Sequence, residues 1–167
     1  MPDFSEMMRH SPTIKKFYFE WEGLRVFGAI DITEVPKELE VRFTSPHPPK
    51  EVSLRLTAYG CTFAHPDGKL SERIRLVHGD VNPTQGNENY ARIPIHGATP
   101  ESSIFVYNEY LVGPRGLTDI RQWESFTGDS GMLLQHHGNT IAFQCNSWKP
   151  ADRRAFADLQ GTITLLR

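Results

Sequence analysis

The sequence predicts a single all-β domain, an antiparallel β-sandwich, with six-stranded β-barrels as the alternative. Apolar residues recur with period two in short runs, and turn-forming residues interrupt those runs roughly every ten residues. No region alternates helices with strands, as a parallel sheet would require. At 167 residues the chain can bury a core of its own, and nothing in it reads as a linker, a repeat or a low-complexity run.

Residues 1–13 are polar with scattered methionines and read as an arm or a short capping segment. Phe17, Phe19 and Trp21 then alternate with Tyr18 and Glu20, Glu22-Gly23 supplies a turn, and Leu24, Val26, Gly28, Ile30 and Ile32 alternate again, which predicts a β-hairpin. Leu39, Val41 and Phe43 resume the pattern after Pro36, and the prolines of 46–49 mark a corner because they cannot donate to a sheet ladder. Val52, Leu54, Leu56 and Ala58 give the cleanest alternation, with Ser53, Arg55, Thr57 and Tyr59 on the opposite face of an expected half-buried strand. Turn chemistry at 65–69 and 82–87 separates strands expected over 73–78, 90–95 and 103–112. A second hairpin is expected over 132–145, closed by His137-Gly138-Asn139; residues 151–159 read as one short C-terminal helix and 161–166 as a last strand.

Charge and cysteine content narrow the function classes. Eighteen basic against 20 acidic side chains leave a net charge of -2, which disfavours binding nucleic acid through a broad basic face. No run is apolar and long enough to span a membrane or serve as a signal peptide, so the expected location is cytoplasmic, or outside the cell by release without a conventional signal peptide. The two cysteines, Cys61 and Cys145, either pair once or remain reduced and buried.

The stretch Val41-Arg42-Phe43-Thr44-Ser45-Pro46-His47-Pro48-Pro49 leads into the strand of Val52 and Leu54. After it come Arg73-Ile74-Arg75-Leu76, Val81-Asn82-Pro83-Thr84, the strand from Tyr90 to His96 and the strand from Ile104 to Tyr110. In that order, over residues 38–112, the sequence resembles the H-type lectins, small six-stranded β-sandwiches that bind N-acetylgalactosamine. The resemblance implies a non-enzymatic carbohydrate-binding module for galactose or N-acetylgalactosamine-type sugars, with no cofactor and no metal. Its partner would be a glycan or glycoprotein, and assembly would be a homo-oligomer, trimer or larger. Carried over by position, the sugar-binding residues would be Arg73, His96 and Asp31. A bidentate cationic donor, an imidazole and a carboxylate suit vicinal hydroxyls in a shallow polar cleft.

Gly128-Asp129-Ser130-Gly131 carries a competing signal, because it is similar to the sequence around the nucleophile of chymotrypsin-like serine proteases. A hydrolase would use Ser130 as nucleophile and His47 as base, with Asn89 or Asp67 to orient the base. The plainer alternative is a β-turn in which Asp129 and Ser130 bond their own backbone. A third class is a structural or protein-interaction β-sandwich. Among the seven histidines, His136 and His137 are neighbours on an expected strand and so point to opposite faces, and His78 with His96 lack a third ligand, which argues against a metal site. Trp21, Trp123, Trp148, Tyr59, Tyr90, Tyr107 and Tyr110 fit either a core or a sugar-stacking surface, and Arg153-Arg154 reads as a solvated helix face.

Overall fold

The computed structural model of the chain describes residues 2–45, 52–112, 122–125, 128–147 and 149–167. It is an all-β, sandwich-like fold of two antiparallel sheets, one of them curled into a half-barrel. A short helix, α1 (Phe4–Arg9), precedes the strands β1 (Tyr18–Trp21), β2 (Leu24–Phe27), β3 (Ile30–Ile32), β4 (Glu38–Phe43), β5 (Val52–Tyr59), β6 (Thr62–Ala64), β7 (Leu70–Ser71) and β8 (Arg73–Val77). There follow β9 (Gln85–Asn87), β10 (Tyr90–His96), β11 (Ser103–Val112), β12 (Gln122–Glu124), β13 (Gly131–His137), β14 (Thr140–Asn146) and β15 (Leu159–Leu166). The curled sheet has the order β1-β2-β13-β14-β15-β4-β10-β6-β7, with β9 also on β10; the smaller sheet has the order β12-β11-β5-β8, with β3 on β11.

Both expected hairpins form. Trp21 pairs with Leu24 across Glu22 (φ 48°) and Gly23 (φ 79°), two left-handed residues whose twist matches that of the flanking strands. The second of the paired runs breaks earlier than its alternation suggests. It leaves the curled sheet after Phe27, and Ile30 and Ile32 join the smaller sheet beside Val106 and Ile104.

The core lies between the sheets, where the alternating residues of β4 (Leu39, Val41, Phe43), β5 (Val52, Leu54, Leu56, Ala58) and β11 (Ile104, Val106) are all buried. A second apolar cluster, Phe4, Phe19, Trp21, Val26 and Phe156, sits apart from it and docks α1 onto the first hairpin.

Three expectations need correction. Residues 151–159 form no helix: bends and turns lead to Phe156, which takes a left-handed φ of 47° to seat its fully buried ring in the second cluster, and Leu159 already begins β15. The N-terminal arm is a helix instead, capped by Asp3, whose carboxylate accepts from the Glu6 amide at 2.9 Å. The Ser5 hydroxyl donates to the same carboxylate at 2.6 Å and holds it below the usual carboxylate range. Finally, β5 is not half-buried, because Ser53 and Thr57 on its second face are 0% and 6% exposed.

Cys61 and Cys145 are both free and buried, and burial raises both thiols, Cys145 the more strongly. Thiolate is the reactive form, so Ellman's reagent should titrate two thiols per chain only in denaturant, with Cys145 protected under native conditions. Rapid native reaction of both would contradict this burial.

Candidate functional site

The residues that the sequence singles out fall on three surfaces. Cross-strand register places Arg73 (β8), Thr57 (β5), Phe105 (β11) and Asp31 (β3) side by side in one row on the outer face of the smaller sheet. Arg73 and Asp31 are exposed at its two ends, three strand spacings apart, or roughly 14 Å. His96 does not join them: it ends β10 in the curled sheet, where its carbonyl accepts from the Thr62 hydroxyl at 3.5 Å. Two of the three residues implied by the lectin resemblance therefore share a face, and the third lies on the other sheet.

The face between Arg73 and Asp31 has further chemistry. Phe105 meets Phe17 at 5.2 Å and Tyr59 at 5.5 Å, both edge to face, and Tyr59 is 55% exposed, so the row is flanked by an aromatic ledge open to solvent. Two residues along the strands, on the same face, Arg55 stands directly opposite Arg75, with Tyr107 on its other side. Glu109 is the acidic neighbour. Its Oε1 accepts from Arg75 Nε at 3.1 Å and lies 3.9 Å from Arg55 Nε, and the Arg75 guanidinium stacks 4.8 Å above the Trp123 ring. Beneath these groups the hydroxyls of Ser53 and Thr57 are buried without a hydrogen-bond partner.

Sequence reasoning missed Arg55, Thr57 and Phe105 as members of this surface. The alternation along β5 and β8 shows that Arg55, Thr57 and Tyr59 share one face and that Arg73 and Arg75 share another. Only the register between strands, which depends on long-range pairing, makes them one surface.

The second surface is an open groove of about 620 Å³ on the outer face of β13, β14 and β15, flanked by the tip of the first hairpin. Its polar lining includes Arg25, Thr44, Gln135, Gln144, Gln160 and Thr162. Gln160 donates to the Phe156 carbonyl at 3.4 Å and Arg25 pairs with Glu20 at 3.3 Å.

The third surrounds the Gly-Asp-Ser-Gly motif. Ser130 leads into β13, whereas Asn89 leads into β10 at the same end of the curled sheet, four strand spacings or on the order of 19 Å away along it. The described residues thus do not bring Ser130 and Asn89 together, and His47 lies outside them. Asp67 sits in the turn between β6 and β7, where its carboxylate accepts from the Lys69 amide at 2.9 Å. The Asp129 carboxylate, expected to bond its own backbone, serves the N-terminus instead: Oδ1 accepts from the Phe4 amide at 3.2 Å and lies 3.1 Å from Arg153 Nε. Arg153 is accordingly no solvated helix residue. Its guanidinium lies over the Phe4 and Trp21 rings at 4.5 and 5.4 Å, and its side chain is 20% exposed.

Among the described residues no group of three or more His, Cys, Asp or Glu side chains could hold a metal ion, and no helix is long and apolar enough to cross a membrane. Comparison with protein-family models, with curated proteins and with solved structures finds no match to this chain.

Proposed function

We propose that the protein is a non-enzymatic carbohydrate-binding module that recognises galactose or N-acetylgalactosamine-type sugars on the outer face of the smaller sheet. One observation carries this reading: Arg73 and Asp31 bracket a row that contains Phe105 and is flanked by the exposed ring of Tyr59. A pyranose has an apolar face of C–H bonds and a rim of hydroxyls. Stacking on Tyr59 would satisfy the first, while the Arg73 guanidinium donates to and the Asp31 carboxylate accepts from the second. An exposed tyrosine and two exposed charges need no rearrangement to meet a ligand, which favours binding without closure. In this reading His96 has no contact with the sugar, because it belongs to the other sheet.

The test is a glycan array on the purified protein with and without a chelator, followed by titration of Tyr59→Ala, Asp31→Asn and, as a control in the groove, Gln144→Ala. The expected result is binding to terminal galactose-type sugars that survives the chelator. It should weaken about tenfold in Tyr59→Ala and several-fold in Asp31→Asn, and stay unchanged in Gln144→Ala; tenfold corresponds to ~1.4 kcal/mol, within the range of one aromatic contact. A silent array would sink the reading, and loss confined to Gln144→Ala would move the site to the groove.

A further inference from the structure

We infer that the sugar bound on this face carries an anionic substituent, a carboxylate or a sulfate ester, held by Arg55, Arg73 and Arg75. The inference rests on the carbohydrate reading and concerns the same surface. It starts from a charge imbalance. Register places Arg55 directly opposite Arg75, and Arg73 lies two residues away along β8 on the same face. Like charges directly opposed across a sheet are destabilising. Glu109 offsets one of the three cations; among the described residues the other carboxylate of the face, Asp31, lies three strand spacings from Arg73.

The hydrogen-bond inventory sharpens this. A guanidinium offers five N–H donors. Glu109 engages Arg75 through Nε alone, and its 3.9 Å separation from Arg55 Nε is too long for a hydrogen bond. Among the described residues nothing accepts from the terminal nitrogens of Arg55 or Arg75, and none forms an ion pair with Arg73. Yet Arg55 and Arg75 are only 20% and 30% exposed in their side chains, so much of their hydration has been stripped, and among the described residues only Glu109 pairs with them. Thr57, directly opposite Arg73 in the register, has a buried and unpartnered hydroxyl, one more donor on the Arg73 side of the face. Underused, half-desolvated donors converging on one face are complementary to a compact oxyanion, and a guanidinium fork binds carboxylate or sulfate oxygens in pairs. The ledge of Tyr59 and Phe105 lies beyond Thr57 in the same surface, so the ring and its acidic substituent would occupy adjoining halves of it.

The test is isothermal titration of the intact protein with lactose, 3′-sulfated lactose and 3′-sialylated lactose at low and at 0.5 M salt. At least one acidic form is expected to bind tenfold or more tightly than lactose at low salt, and which one it is identifies sulfate or carboxylate as the anion. The advantage should shrink at high salt as the charges are screened. It should be lost in Arg73→Gln, an exposed position with no ion pair among the described residues, whose replacement should leave the fold intact, while lactose binding falls only several-fold. Equal binding of neutral and acidic forms would overturn the inference and leave the carbohydrate reading standing. No binding of any form would remove both. An acidic preference that survives Arg73→Gln and Arg55→Gln, each folded by circular dichroism, would overturn the assignment to these arginines.

Discussion

Phe4→Ala should lower the stability of the protein by about 4 kcal/mol, the range for removing a fully buried phenylalanine. Phe4 has no exposed surface although it is the fourth residue of the chain. Its ring packs against Phe19 at 5.3 Å, Trp21 at 4.9 Å and Phe156 at 5.9 Å, and the Arg153 guanidinium covers it at 4.5 Å. The backbone on either side is tied down as well, by the Phe4 amide to Asp129, the Ser5 amide to the Gly128 carbonyl and Arg153 Nη2 to the Pro2 carbonyl. Six helical residues cannot hold themselves together in water, so α1 exists because this ring is seated. Truncation should therefore release the helix as a unit. Urea unfolding would show a lower midpoint, and limited proteolysis would cleave within residues 2–16 before the sheets open. Phe4→Leu should retain most of the packing and lose about 1.5 kcal/mol. A loss below 1 kcal/mol for Phe4→Ala would mean that the second cluster contributes little to folding.

How far the sequence announces this fold depends on whether the information is local. The alternation of Leu39, Val41 and Phe43, or of Val52 through Ala58, is written in period two and reappears as buried inner faces. The Glu22-Gly23 turn is equally local. The helix at Phe4–Arg9, read from the sequence as an arm or capping segment, did carry a local signal that this reading passed over, Asp3 followed by Glu6 three residues later. The failure at 151–159 is of another kind. Ala151, Arg153, Ala155 and Leu159 favour a helix, but Phe156 must reach the ring of Phe4 and Arg153 must reach Asp129, and these long-range contacts override propensity. The burial of Ser53 and Thr57 was unreadable for the same reason, since it is set by what covers β5 and not by β5 itself.

The site follows the same division. Single residues of the surface stood out in the sequence: Arg73 and Asp31 through the lectin resemblance, Tyr59 as an aromatic. Their grouping depends on which strands pair and in what register. β3 leaves the first hairpin to join β11, and that crossover alone brings Asp31 into the row of Phe105, Thr57 and Arg73. His96 illustrates the converse, because its place in sequence between β9 and β11 says nothing of the sheet to which β10 belongs.

A single methyl group at the centre of the curled sheet should have a comparable effect. Gly161 pairs with Phe43 on one side and Phe143 on the other, and the two rings meet edge to face across it, 6.3 Å between centroids. An added Cβ would fall 2.2 Å from the Arg42 carbonyl oxygen and 2.7 Å from Phe143 Cζ. Neither neighbour can yield cheaply. β4 is held on both edges, by β15 and by β10, so the Arg42 carbonyl cannot retreat without breaking a ladder, and Phe143 is 1% exposed in a closely packed core. Gly161→Ala should therefore cost about 3 kcal/mol, at the upper end for overpacking. For a chain of this size that lowers the urea midpoint by about 1.5 M at an unchanged slope. Thr162→Ala, one residue on and facing the groove, is the matched control and should change stability by no more than about 0.5 kcal/mol. Should the two variants melt together, the close approach of β4, Phe143 and Gly161 would be wrong; a large loss confined to Gly161→Ala would mark this glycine as the point where the curled sheet draws its two phenylalanines into the core.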